Sequence, residues 1–128
     1  MPLSPDQVVA YCLTLPGASA DWKWGRNRVL SIADNKMFAI IDFSERGKHA
    51  LAFKVDDDLF LGFTDQPGIR PAPYLARAHW IAMDAPYPLG ESALRAALMR
   101  AHQLVVMRLP RYRRAGLLLA NAHPAESI

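Results

Sequence analysis

PGIRPAPYLARAHW, residues 67–80, is the stretch on which the reading of this chain turns. Its prolines punctuate the backbone and mark a loop over residues 65–73. Arg70, Tyr74 and Arg77 line one loop, and the adjacent pair His79 and Trp80 opens a run over residues 79–84 that reads as a strand. So many basic and aromatic side chains in so short a stretch are more than a connection needs.

Working outward, the spacing of apolar residues defines the neighbours. Residues 28–33 and 36–43 read as two strands around a tight turn at Asp34 and Asn35, because Asx residues tolerate the positive φ of a two-residue hairpin. Residues 37–41 are apolar throughout, which predicts a central strand covered on both faces, or one slightly twisted at its ends. A polar loop over 44–48 leads to a third strand over 50–55. Asp56 is placed to cap a short helix through Leu61, with Asp57 and Asp58 in its first turn. After the fourth strand, Pro86, Pro88 and Gly90 break the chain before a long helix over 91–107. Its apolar stripe is Leu94, Leu98, Ala101 and Val105, flanked by Arg95 and His102 on one side and Arg100 on the other. Pro110 ends that helix, and a short basic segment over 111–114 follows. Near the start, Ser4, Pro5 and Gln7 supply the N-cap, first position and capping box of a helix whose Val8, Cys12 and Leu15 share one face. Pro16 and Gly17 end it, and residues 22–26 read as a loop.

The length of 128 residues suits one domain, expected over 1–120, with a frayed tail over 121–128. No apolar run approaches the ~18 residues of a membrane span. The first residues lack the basic and apolar regions of a signal peptide, and the single cysteine, Cys12, excludes an internal disulfide and a cysteine-based zinc site. These features fit a cytoplasmic protein. The net charge of +3 is uneven: residues 1–64 carry −1 and residues 65–128 carry +4, with all eight cations of the second half arginines. Arginine grips phosphate or carboxylate through two bonds. A genome that encodes arginine wherever lysine would serve produces the same bias.

No phosphate-cradling glycine loop, metalloprotease motif or nucleophile elbow is present, and the four histidines have no mutual ligand spacing. No catalytic residue and no cofactor or metal is expected, and the reading is non-enzymatic. His79 suits a hydrogen-bonded structural role better than that of a base or ligand. The run Asp56 to Asp58 suits a solvated helix start better than a divalent-metal site. Arg108, Arg111, Arg113 and Arg114 surround Tyr112, a pattern that neutralises phosphates and stacks on a base, or that stabilises a helix C-terminus. Trp22 and Trp24, two apart, face one side in an extended chain. They suit a stacking platform or a plug in the core, and their bulk favours the core.

In order and spacing, residues 36–39, 53–55, 67–80 and 104–110 resemble the MmcQ/YjbR family of small bacterial proteins, often labelled DNA-binding. Lys54 matches the lysine that ends the family's third strand. Pro71, Leu75, His79 and Trp80 match its Pro-x-x-x-Leu-x-x-x-His-Trp pattern, and Leu104, Val105, Leu109 and Pro110 match its C-terminal signature. Ala72, Pro73 and Tyr74 replace the usual Gly-Tyr-His, so a site built on that loop histidine is altered here. Ala76 and Arg77 stand where many members have Asn-Lys, and residues 101–103 replace a Ser-Tyr pair. The resemblance implies an α+β fold in which an antiparallel sheet of four or more strands packs against N-terminal and C-terminal helices. It also implies the double-wing, frataxin-like arrangement.

Two functions are expected to compete. In the first, the chain binds DNA, contacting the phosphate backbone through Lys54, Arg70, Arg77, Arg108, Arg111, Arg113 and Arg114, with Tyr74 beside them. In the second, it binds a protein or small ligand in a pocket walled by Trp22, Trp24, His79 and Trp80, with Lys54 or Arg77 holding an anion. Cations along a convex face favour the first, and tryptophans around a concavity favour the second.

Overall fold

Ser4 opens the first helix as its sequence requires. Its Oγ accepts the Gln7 amide at 3.2 Å, Gln7 Oε1 accepts the Ser4 amide at 2.9 Å, and Pro5 takes the first position. The computed structural model describes residues 2–119 apart from positions 34 and 46. The expected frayed tail over 121–128 therefore lies outside the described residues, as does Asp34 of the expected turn. The helix, α1, spans Pro5–Leu13 and buries Val8 and Cys12, with Leu15 buried just beyond it. Burial alone pushes the Cys12 thiol up to about 12, so this cysteine is a core residue.

Six strands follow: β1 Ser19–Lys23, β2 Asn27–Ile32, β3 Lys36–Asp42, β4 Leu51–Lys54, β5 Ile69–Pro71 and β6 Trp80–Met83. They form one antiparallel sheet in the order β1-β2-β3-β4-β6-β5. The fold is α+β, and two of its strands lie where loops were expected. β1 carries Trp22 opposite Arg28; its residues have no strong strand character of their own, and pairing to β2 orders them. β5 carries Pro71 inside the proline-rich loop, a tolerated position because β5 is an edge strand.

One irregularity sets the geometry of the sheet. Leu30 pairs with Ala39 but Ser31 pairs with Met37, so Phe38 is an extra residue at a β-bulge. The bulge breaks the two-residue alternation. Phe38 and Ala39 both enter the main core, while Met37 packs on the opposite face with Ile40, Ala52, Leu75, Ala72, Ala82 and Trp80. β3 thus packs on both faces, fully on the core side and only partly on the other, where Met37 and Ile40 are half-buried.

Two short elements connect β4 to β5, a 3-10 turn over Asp57–Leu59 and α2 over Phe60–Thr64. Asp56 precedes them without a side-chain capping bond, contrary to expectation. The last helix, α3, spans Glu91–Val106 and packs on β3 and β4, while α1 packs on α3, β1 and β2. Its stripe of Leu94, Leu98, Ala101 and Val105 is buried as expected. No helix among the described residues is long and apolar enough to cross a membrane.

His102 departs from the expected flank position: it is fully buried beside Gln103. Each polar group there is satisfied. His102 Nε2–H donates to the Pro16 carbonyl at 2.7 Å, and Gln103 Nε2 donates to His102 Nδ1 at 2.7 Å and to the Leu117 carbonyl at 2.9 Å. Gln103 Oε1 accepts the Leu119 amide at 3.0 Å. This pattern assigns the neutral Nε2–H tautomer, because a second proton on Nδ1 would face an amide donor. Burial lowers the His102 pKa below the ordinary value, opposed by the bond to Pro16.

The folded chain therefore holds the His102 proton less tightly than the unfolded chain does. Stability is complete above about pH 6.5 and falls as pH drops through that value toward the lower folded-state pKa, where the loss levels off. Urea denaturation across this window is expected to show a slope of at most about 1.4 kcal/mol per pH unit from this group, and His102→Gln is expected to remove it.

Candidate functional site

The face of the sheet opposite the helices is only partly covered. Residues 72–79 fold over one part of it through the 3-10 turn Ala76–Ala78, and Trp80, only 4 % exposed, packs there between Ala72 and Ala82. Lys54 ends β4 directly opposite Trp80 and donates from Nζ to the Ala78 carbonyl at 2.6 Å. Burial draws the Lys54 pKa below the ordinary lysine value and Arg108 adds to this, while Asp57 and Asp56 act the other way.

Beside this covered part lies an open concavity of about 620 Å³. Val29, Met37, Trp80, Val105 and Leu109 supply its apolar lining, and Trp24 forms an outer wall. Lys23, Lys36, Lys54 and Arg108 also line it, and no carboxylate does so among the described residues. Each arrives by a different element: Lys23 ends β1, Lys36 begins β3, Lys54 ends β4, and Arg108 follows α3. The bulge at Phe38 turns Met37 toward this face.

Carboxylates do lie nearby, across Lys54 and Arg108, where Asp56, Asp57 and Asp58 border a smaller depression. Two of them are engaged. Arg100 binds both oxygens of Asp56, with bonds of 3.0, 3.3 and 2.8 Å. His79 Nδ1 donates to Asp57 Oδ1 at 2.6 Å, and that bond is the main cause holding the Asp57 carboxyl below its usual range. The aspartate run thus serves ion pairs, which explains the missing helix cap. His79 itself sits in a left-handed conformation, φ 59°, with its ring against Phe60. It is hydrogen-bonded and stands outside the lining of the concavity.

The expected site residues do not form one patch. Lys54 and Arg108 meet in the concavity together with Trp24 and Trp80. Arg70 pairs with Asp84 at 2.9 Å, and Tyr74 and Arg77 stand exposed on the covering loop. Arg114 donates to the Leu109 and Met107 carbonyls, which ties down the end of α3. Arg111 and Arg114 border a separate depression, and Arg113 lies in the 3-10 turn Arg111–Arg113.

Trp22 and Trp24 are both more than half exposed, at 54 % and 66 %, so neither plugs the core. They also do not share a site. Trp22 belongs to β1, where Arg28 and Arg26 lie over its ring at 4.9 and 5.8 Å and Phe43 meets it edge-on. Trp24 lies in the β1–β2 turn with φ 49°, followed by Gly25 with φ 86°, so the extended-chain alternation that pairs the two indoles has ended. Lys23 and Lys36 escaped the sequence reading. Their one signal is position, a lysine flanking each of the first two hairpin turns, and it acquires meaning only with the strand register.

The sequence profile of the YjbR family matches residues 13–104. No curated protein matches the chain. Among solved structures, the chain is similar to the Deinococcus radiodurans protein DR2400, described as having a DUF419 domain, at 18 % identity and a TM-score of 0.79, over 93 % of this chain and 96 % of that one. It is also similar to the Pseudomonas syringae structural-genomics target PsR293. The crystal structure aligns at 21 % identity and a TM-score of 0.66, over 80 % of this chain and 99 % of that one. The solution structure aligns at 22 % identity and a TM-score of 0.63, over 85 % and 96 %.

Lys54→Met keeps the aliphatic stem and removes the bond to Ala78. It is expected to lower stability by about 1–2 kcal/mol in urea denaturation, with faster amide exchange at Ala78 and His79. An unchanged denaturation midpoint and unchanged exchange would show that the bond does not hold the covering loop.

Proposed function

The chain belongs to the YjbR family, and we propose that it is a non-enzymatic, cytoplasmic DNA-binding module whose contact surface is the cation-lined concavity. The observation that supports this reading is the convergence of Lys23, Lys36, Lys54 and Arg108 around an exposed indole, with no carboxylate in the described lining. Side chains of Lys23, Lys36 and Arg108 make no hydrogen bond or ion pair among the described residues. Lys23 and Lys36 are placed to replace the counterions of a phosphate backbone, and Arg108, whose charge also acts on Asp57, adds to them, which makes affinity fall with salt.

The concavity supports a second reading, a small anionic ligand bearing a flat apolar group. Its volume of about 620 Å³ lies within the ~300–1,000 Å³ of small-ligand sites. Salt dependence separates the two, because one small anion engages fewer cations than a strand does.

Fluorescence anisotropy with a labelled single-stranded DNA oligonucleotide, across ~50 to ~200 mM salt, is expected to give a log–log slope of about −3 for four phosphate contacts. The double variant Lys36→Ala and Arg108→Ala is expected to halve that slope. No binding at the lowest salt, or a slope untouched by the double variant, would contradict the proposal.

A further inference from the structure

We infer that the concavity takes an unpaired nucleotide, its base stacked on Trp24 and its phosphates held by the surrounding cations, so that single strands bind in preference to duplexes. The inference rests on the nucleic-acid reading above and specifies the form of the strand.

The first observation is Trp24 itself. The residue is 66 % exposed, and its ring has no aromatic or cationic partner among the described residues. Trp22, by contrast, already carries two guanidinium groups near its ring. Trp24 also occupies a left-handed conformation, φ 49°, which is strained for a bulky residue. Asn27 Nδ2 donates to the Trp24 carbonyl at 3.0 Å and helps to hold the turn. Glycine would fill this position at lower cost. An indole held in a strained turn, with its surface left in water, adds little to folding and offers a rigid stacking surface.

The second observation is shape. A duplex presents phosphates on a convex surface and keeps the faces of its bases inside the stack, away from any side chain. Here four cations and an exposed tryptophan line the same hollow. Only a base freed from pairing brings a flat face and an adjacent phosphate into that hollow together. Alternating stacking and phosphate contact is how single strands are held without sequence readout. DNA and RNA share this chemistry.

The test compares labelled oligothymidylate and oligouridylate of about 10 nucleotides with a duplex of the same length, by anisotropy and by quenching of tryptophan emission. At least one single strand is expected to bind roughly tenfold tighter than the duplex. Trp24→Gly is expected to fold at least as well as the parent in a thermal melt and to lose about tenfold in single-strand affinity. Trp24→Phe is expected to recover most of that loss, and Trp22→Leu to leave affinity unchanged. A preference for oligouridylate or for oligothymidylate over the duplex supports the inference, and oligodeoxyuridylate then separates the effect of the sugar from that of the thymine methyl. Equal or tighter duplex binding, or full single-strand affinity in Trp24→Gly, overturns it while leaving the nucleic-acid reading in place. Absence of binding to all three probes overturns both.

Discussion

Lys54 fixes the relation between the sheet and everything that covers its outer face. Its ammonium is buried beside Trp80 and bonds the Ala78 carbonyl, so the end of β4 and the loop before β6 hold a single arrangement. An ammonium with so little water needs compensation, and the carbonyl, Asp57 and Asp56 supply it. The same aspartates are bound from their other sides by His79 and Arg100. The acidic run is therefore a counterion set for the structure. Lys23 and Lys36, on the neighbouring strands, stand outside it, which leaves the concavity positive.

Arg108 reaches that concavity because the C-terminal end of α3 is tied down from inside. His102 and Gln103 link α3 to the Pro16 carbonyl and to residues 117 and 119 with every polar group matched. Such a network specifies one docking of the helix, since any shift leaves a buried donor or acceptor unpaired. Arg114 adds bonds to the carbonyls of the last turn. Its guanidinium stabilises the scaffold, whereas Arg108, six residues earlier, faces the hollow.

Local chemistry made much of the fold readable. The capping box at Ser4, the Leu94 to Val105 stripe and the apolar run of β3 each act through neighbours a few residues away, and each is found where its spacing places it. β1 and β5 were not readable, because edge strands as short as these owe their form to the strand beside them. His102 misled for another reason: helical position suggests a flank, but the interior accepts a polar residue once all its bonds are made. The site was half legible. Lys54, Arg108, Trp24 and Trp80 were identifiable as chemistry without a location. The charge excess of the second half drew attention to its arginines, yet three of the four cations around the concavity come from the first half. Register and the bulge at Phe38 bring them together, and neither is written in composition.

The most direct test of this account is a two-dimensional amide and indole NMR titration of the full chain with oligothymidylate. Shifts are expected only at the Trp24 indole and at backbone amides around positions 23–24, 36–37, 54, 78–80 and 105–109, with the Trp22 indole unmoved. Shifts centred on Trp22 and Arg28, or on residues 111–116, with the Trp24 indole unchanged, would contradict it.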